Sequence, residues 1–189
     1  MKNFRYAVSF MMVFALTLVF IGCAKPPQAE RSDAKAALDA ALAANADKYA
    51  ATGFNAAKNL WVAAEDKMNT KKYAEAKQDY INAKLAFEKL RPAIDEGKSI
   101  MIHKLNEDIP LLEEDWKNLV ASAKNLKNKM KDKKEAWAAD TKTFEDGLFA
   151  AKGMNTDPVG ATAKVAELRA IIDKWSATFK ELGAAPAKK

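Results

Sequence analysis

From Tyr73 to Leu182, apolar side chains return at steps of three and four with few interruptions. Tyr73, Ala76, Tyr80, Ala83, Phe87, Leu90 and Ile94 form one such series. Leu112, Trp116, Leu119, Ala123, Leu126, Met130, Trp137 and Phe144 form a second, broken only by Lys133 and Asp140. Ala161, Val165, Leu168, Ile172, Trp175, Phe179 and Leu182 form a third. This rhythm keeps one stripe of a helix apolar and matches the seam of left-handed, coiled-coil-like packing. A helix with a single apolar stripe has to bury it against another element. Helices of this kind, joined by short turns, pack antiparallel around a shared core. The expected fold is therefore all-α, an elongated antiparallel bundle of long amphipathic helices. The scarcity of breakers, 7 Gly and 6 Pro in 189 residues, favours long helices.

The boundaries are read from caps and breakers. Ser32 is an expected N-cap, followed by a stripe of Leu38, Leu42, Asn45 and Tyr49 that Thr52-Gly53 interrupts. Ala57, Trp61, Ala64 and Met68 continue it to a turn at Asn69-Thr70-Lys71-Lys72. Pro92 is expected to kink or divide the next helix, and Gly97 weakens it further; Met101, Ile102 and Leu105 then resume the apolar face. Asn106 to Pro110 reads as a helix boundary with Asp108 as cap. The series beyond it predicts a single helix of roughly 40 residues, about 60 Å long, closed by Gly153 to Thr156. Asp157-Pro158 opens the last helix and Gly183 stops it. The helical domain is thus expected over 32–183, with 184–189 (AAPAKK) a disordered tail.

The N-terminus carries a different signal. Lys2 and Arg5 precede an almost wholly apolar run, Tyr6 to Ile21. A basic region followed by an apolar stretch of this kind is an export signal. The run is shorter than the ~20 residues a membrane-spanning helix needs. It ends in Phe20-Ile21-Gly22-Cys23, followed by Ala24-Lys25-Pro26-Pro27. This segment resembles the lipobox of bacterial lipoprotein precursors, with Phe20 where Leu is usual. The resemblance implies removal of residues 1–22. It implies a diacylglyceryl thioether on Cys23 and, in many bacteria, acylation of the freed amine. Ala24 after the cysteine points, by analogy, to the outer membrane facing the periplasm. The alternative is an uncleaved anchor with an incidental cysteine. Residues 23–31 then read as a lipidated Cys and a Pro-stiffened tether. Two or three acyl chains hold a protein firmly to a bilayer, where one gives marginal binding.

Cys23 is the only cysteine, which excludes disulfides, thiolate metal sites and c-type haem attachment. Removing residues 1–22 removes two cations and no acid, taking the formal charge from +6 to +4. That balance is too mild for a nucleic-acid binder. Tyr73, Ala76, Tyr80 and Ala83 stand where the second helix of a tetratricopeptide repeat places an aromatic, a small residue, an aromatic and a small residue. A second copy is missing, and solenoids need about three units, so the stretch reads as one helical hairpin. Behind a lipobox, the pattern resembles a loose group of Ala-rich helical bacterial lipoproteins of unknown function.

Candidate sites are few. His103 is the sole histidine, and with Glu107 it offers only two metal ligands. Glu113-Glu114-Asp115 and Asp95-Glu96 are carboxylate clusters; the former falls just after the expected helix start, where negative charge suits the dipole. Phosphate-loop, GxSxG and HExxH motifs are missing, so no catalytic or metal site, cofactor or small-molecule substrate is expected. Lys117, Lys124, Lys127, Lys131 and Lys134 fall on one face of the expected long helix. They read either as its solvated face or as a basic strip for anionic headgroups, lipopolysaccharide or peptidoglycan. Lys188-Lys189 resembles, weakly, the terminal lysine of lipoproteins joined to peptidoglycan. The primary expectation is an envelope scaffold held to the membrane by its lipid, with an envelope protein or peptidoglycan as partner. The alternative is a bundle that carries a hydrophobic or peptide ligand lined by Trp61, Trp116, Trp137 and Trp175.

Overall fold

The computed structural model describes residues 25–154 and 156–183. The leader, Cys23 and the tail at 184–189 lie outside the described residues. All secondary structure among the described residues is helical: α1 (Gln28–Ala43), α2 (Ala46–Tyr49), α3 (Ala51–Asn69), α4 (Tyr73–Glu88), α5 (Arg91–Asn125), a 3-10 turn (Lys131–Lys133), α6 (Lys134–Gly153) and α7 (Pro158–Glu181). The chain divides into two compact units, the first ending at Pro92 and the second starting at Ala93.

In the first unit, α3 and α4 form an antiparallel hairpin. Phe54 meets Phe87 with ring centroids 5.8 Å apart, and Trp61 meets Tyr80 at 5.4 Å. Lys71 closes the turn in the left-handed region, at φ 59°. The α1 helix lies along α4 in the same direction: Glu30 pairs with Lys77 at 2.8 Å and, one turn further along α1 and two along α4, Asp33 with Lys84 at 3.0 Å. Three helices meet at Ala34, Ala64, Ala76 and Tyr80, all fully buried. Alanine at these positions lets the helix axes approach closely.

Several boundaries differ from the sequence expectation. The segment 28–31, expected to belong to a tether, is helical, because α1 begins at Gln28, and Ser32 lies inside it rather than capping it. Long-range pairing holds that first turn in place. Arg31 forks onto Glu65 of α3 at 2.7 and 2.8 Å, and Glu30 reaches Lys77. The buried stripe of α1 is Ala34 and Ala41, not Leu38 and Leu42; Leu42 is 45% exposed. Two breaks follow it, one at Asn45, in the left-handed region at φ 54°, and one at Ala50, just ahead of Thr52-Gly53. Gly53 sits inside α3, where a Cβ would come 2.7 Å from Leu90 Cδ2. Its role is therefore close helix approach, not interruption.

The Arg31–Glu65–Tyr80 group carries a pH dependence. Tyr80, fully buried, donates its hydroxyl to Glu65 Oε1 at 2.7 Å. Burial, and then the Glu65 carboxylate beside it, push the Tyr80 hydroxyl up to about 12. The Arg31 guanidinium holds the Glu65 carboxyl below its usual range. A carboxyl depressed on folding stabilises the fold above its unfolded pKa, and that contribution is lost as pH falls through the lower folded value. The urea midpoint should therefore fall between pH 5 and pH 3, and Glu65→Gln should make that decline shallower. Parallel declines in the two proteins would refute the assignment.

The second unit is also an up–down–up trio. Trp116 of α5 stacks on Phe144 of α6 at 4.0 Å and 11°, and on Trp137 at 5.3 Å and 20°. Against α7, Trp137 meets Trp175 edge-on at 5.0 Å and Phe179 at 5.2 Å. Here α6 and α7 come close, with a Cβ at Gly147 only 2.8 Å from Leu168 Cδ2. Bulky rings hold α5 further out. Ala161, Val165, Leu168, Ile172, Trp175 and Phe179 are all buried, with Leu182 half-buried, as their spacing predicts. Asp157 caps α7, accepting from the Gly160 backbone N–H at 3.0 Å, with Pro158 in its first turn.

The single helix expected over 110–153 is not formed. The chain leaves α5 at Asn125, turns through 126–133 and returns antiparallel as α6. Leu126 and Met130 stay buried inside the turn, so the apolar rhythm runs on through a reversal. Lys133, one of the two breaks in that rhythm, lies in the 3-10 turn. Asp140, the other, accepts from Trp175 Nε1 at 2.7 Å and Lys174 Nζ at 2.7 Å. Conversely, Asn106 to Pro110 is no boundary. Asp108 and Pro110 sit inside α5, and Pro92 occupies its first turn, where a missing N–H costs nothing.

Candidate functional site

Two surfaces of the second unit hold the residues that chemistry would use, one at each end of the α5–α6–α7 trio. The first is basic. Lys117 and Lys124 are exposed on α5, Lys127 lies in the turn, Lys131 in the 3-10 turn, and Lys134 opens α6. They do not share one helix face, because the helix expected to carry them reverses. On a single helix, Lys117 to Lys134 would span about 25 Å at 1.5 Å per residue. The reversal instead gathers Lys124, Lys127, Lys131 and Lys134 around one end of the unit, and Lys117 stays two turns down α5. None of the five has an ion-pair partner among the described residues. Lys129 differs: its Nζ donates to the Leu182 carbonyl at 2.9 Å and ties the end of α7 to the turn. Only Asp132 and Glu135 oppose the cluster within the turn and the start of α6.

The second surface is an apolar groove where α5 passes the α6–α7 connection. It encloses about 440 Å³. Ile102, Leu105 and Ile109 of α5 face Ala151, Met154, Pro158 and Ala161 across it. The polar groups at its edge are Asn106, Glu113 and Lys152. Sequence reasoning missed this groove. Its walls come from segments about 50 residues apart, and each wall reads as an ordinary seam.

The other sequence candidates are brought to no common site. The tryptophans do not line the groove: Trp116, Trp137 and Trp175 pack on each other and on Phe144 and Phe179, and Trp61 packs on Tyr80. His103 is 77% exposed beside Glu107 at 3.5 Å. Glu113 and Asp115 are not at a helix start. They lie well inside α5, where Glu113 pairs with Lys152 of α6 and Asp115 with Arg169 of α7. Among the described residues, no cluster of three or more His, Cys, Asp or Glu could hold a metal ion, and no helix is long and apolar enough to cross a membrane. Cys23, the expected lipid acceptor, lies outside the described residues. Comparison with protein-family models, with curated proteins and with solved structures finds no match to this chain.

Proposed function

We propose that this chain is the precursor of a lipid-anchored helical protein of the bacterial envelope, acting as a structural or protein-interaction scaffold at the periplasmic face of the outer membrane. Acyl groups on Cys23 anchor it. The basic end of the second unit engages an anionic envelope surface. The observation that carries this reading is the gathering, at the α5–α6 reversal, of four lysines without ion-pair partners among the described residues, in a chain that opens with a lipobox-like leader. Folding that brings like charges together opposes itself electrostatically, so a partner of opposite charge gives the arrangement a use. The carrier reading draws its support from the groove, not from the tryptophans.

The test has two limbs. In cells, Cys23→Ser should leave an unprocessed chain without fatty acid. In vitro, the unlipidated chain should bind anionic vesicles in low salt and lose that binding as salt rises. Each lysine near such a surface contributes about 1 kcal/mol. Replacing Lys124, Lys127, Lys131 and Lys134 by Gln should weaken binding at least tenfold. A processed, membrane-held Cys23→Ser protein overturns the anchor, and unaltered low-salt binding of the Gln variant overturns the basic contact.

A further inference from the structure

We infer that the groove between α5 and the α6–α7 connection is a binding site for a single-chain zwitterionic amphiphile, of the monoacyl phospholipid class. The inference rests on neither the anchor nor the basic end. Size sets the first limit. A volume of about 440 Å³ lies within the range of small-molecule sites. At ~30 Å³ for a group the size of a water molecule, it holds roughly fifteen chain atoms: one acyl chain, and not two.

The lining sets the second limit. Ile102, Leu105, Ile109, Met154, Pro158 and Ala161 offer aliphatic surface and no aromatic ring on which a planar ligand would stack. Methionine adapts to a flexible chain. The walls belong to helices whose backbone groups are mostly paired within the helix, so an extended peptide would find few hydrogen bonds there. The groove runs along α5 from Ile102 to Glu113, so a helical peptide is the rival occupant, and the competition experiment below separates it from an acyl chain.

The rim sets the third. Glu113 and Lys152 pair across it, with side chains 39% and 50% exposed, so a head group meeting them stays in water. A carboxylate head would gain Lys152 and be repelled by Glu113. A head carrying phosphate and ammonium meets one with each charge. Pro110 adds an acceptor. Lacking an N–H, its ring deprives the Asn106 carbonyl of its α-helical donor, and both residues border the groove.

The experiment uses the full chain as isolated, whatever Cys23 carries, in phosphatidylcholine nanodiscs. The probe is a twelve-carbon lysophosphatidylcholine with a photoreactive group on its chain. Crosslinks should map to the groove walls of α5 and to Met154. Ile102→Asp should reduce them at least tenfold, while Leu111→Asp, at a position 55% exposed and outside the lining, should not. Unlabelled lysophosphatidylcholine should compete at least ten times better than laurate, and Glu113→Gln should erase that preference by freeing Lys152 for the carboxylate. Crosslinks outside the groove, crosslinks indifferent to Ile102→Asp, equal competition by laurate in the wild type, or displacement by an amphipathic helical peptide at equal concentration would each overturn the assignment.

Discussion

Replacing Trp175 by Ala should destabilise the protein by about 3–5 kcal/mol, the cost of emptying a large aromatic site in a packed core. Trp175 is 2% exposed and meets Trp137 edge-on at 5.0 Å and Phe179 at 5.6 Å. Its removal takes the closing wall from the aromatic cluster that joins α6 to α7 and, through Trp137 and Trp116, to α5. It also takes the indole N–H from Asp140. Lys174 remains as a partner, so the carboxylate is not orphaned. The cost is thus mainly cavity and lost dispersion. Trp175→Phe separates the two contributions, because it keeps most of the ring and loses the hydrogen bond to a charged acceptor, worth about 1.5–3 kcal/mol. Urea unfolding followed by far-ultraviolet circular dichroism reads both. A loss below about 1.5 kcal/mol for Trp175→Ala would mean that the cluster does not hold the unit together.

In the first unit the sensitivity has the opposite sign in volume. Ala76→Leu should cost about 1–3 kcal/mol, the usual effect of adding methylenes to a filled core. Ala76 is fully buried where α1, α3 and α4 meet, against Ala34, Ala64 and Tyr80. A leucine there has to push helices apart, which strains the Tyr80–Glu65–Arg31 bonds that need the same spacing. Ala74→Leu, on the exposed side of the same helix, is the control and should move stability by less than about 0.5 kcal/mol. Equal effects at the two sites would show that the close alanine contact is not limiting. One chain thus contains two solutions to burying a helical stripe: close axes with small residues, and wider axes filled by rings.

The site was less legible than the fold. The lysines were visible in the sequence, but their gathering depends on a reversal at 126–133 that carries no Gly or Pro. The three-four rhythm passes through that reversal because two antiparallel helices need the same stripe that one long helix would. Only Lys133 interrupts it there, a weak mark. The groove was illegible. Its walls are seam residues on both sides, and whether facing seams fill the space between them depends on where each helix ends.

The order of apolar and polar residues, by itself, determined that this chain is helical, where α7 begins and ends, and which faces of α4 to α7 turn inward. Those properties follow from a periodicity and a cap that act within a few residues. The tertiary structure decided the rest: the start and the buried face of α1, the fold-back after Asn125, the pairing of Glu113 and Asp115 with distant cations, and the groove beside Ile102. An alanine-rich helix presents several nearly equivalent faces, and a polar turn differs little in composition from a polar helix surface. The choice between such near-equal options is made by contacts between residues 30 to 60 positions apart, and local propensity does not contain them.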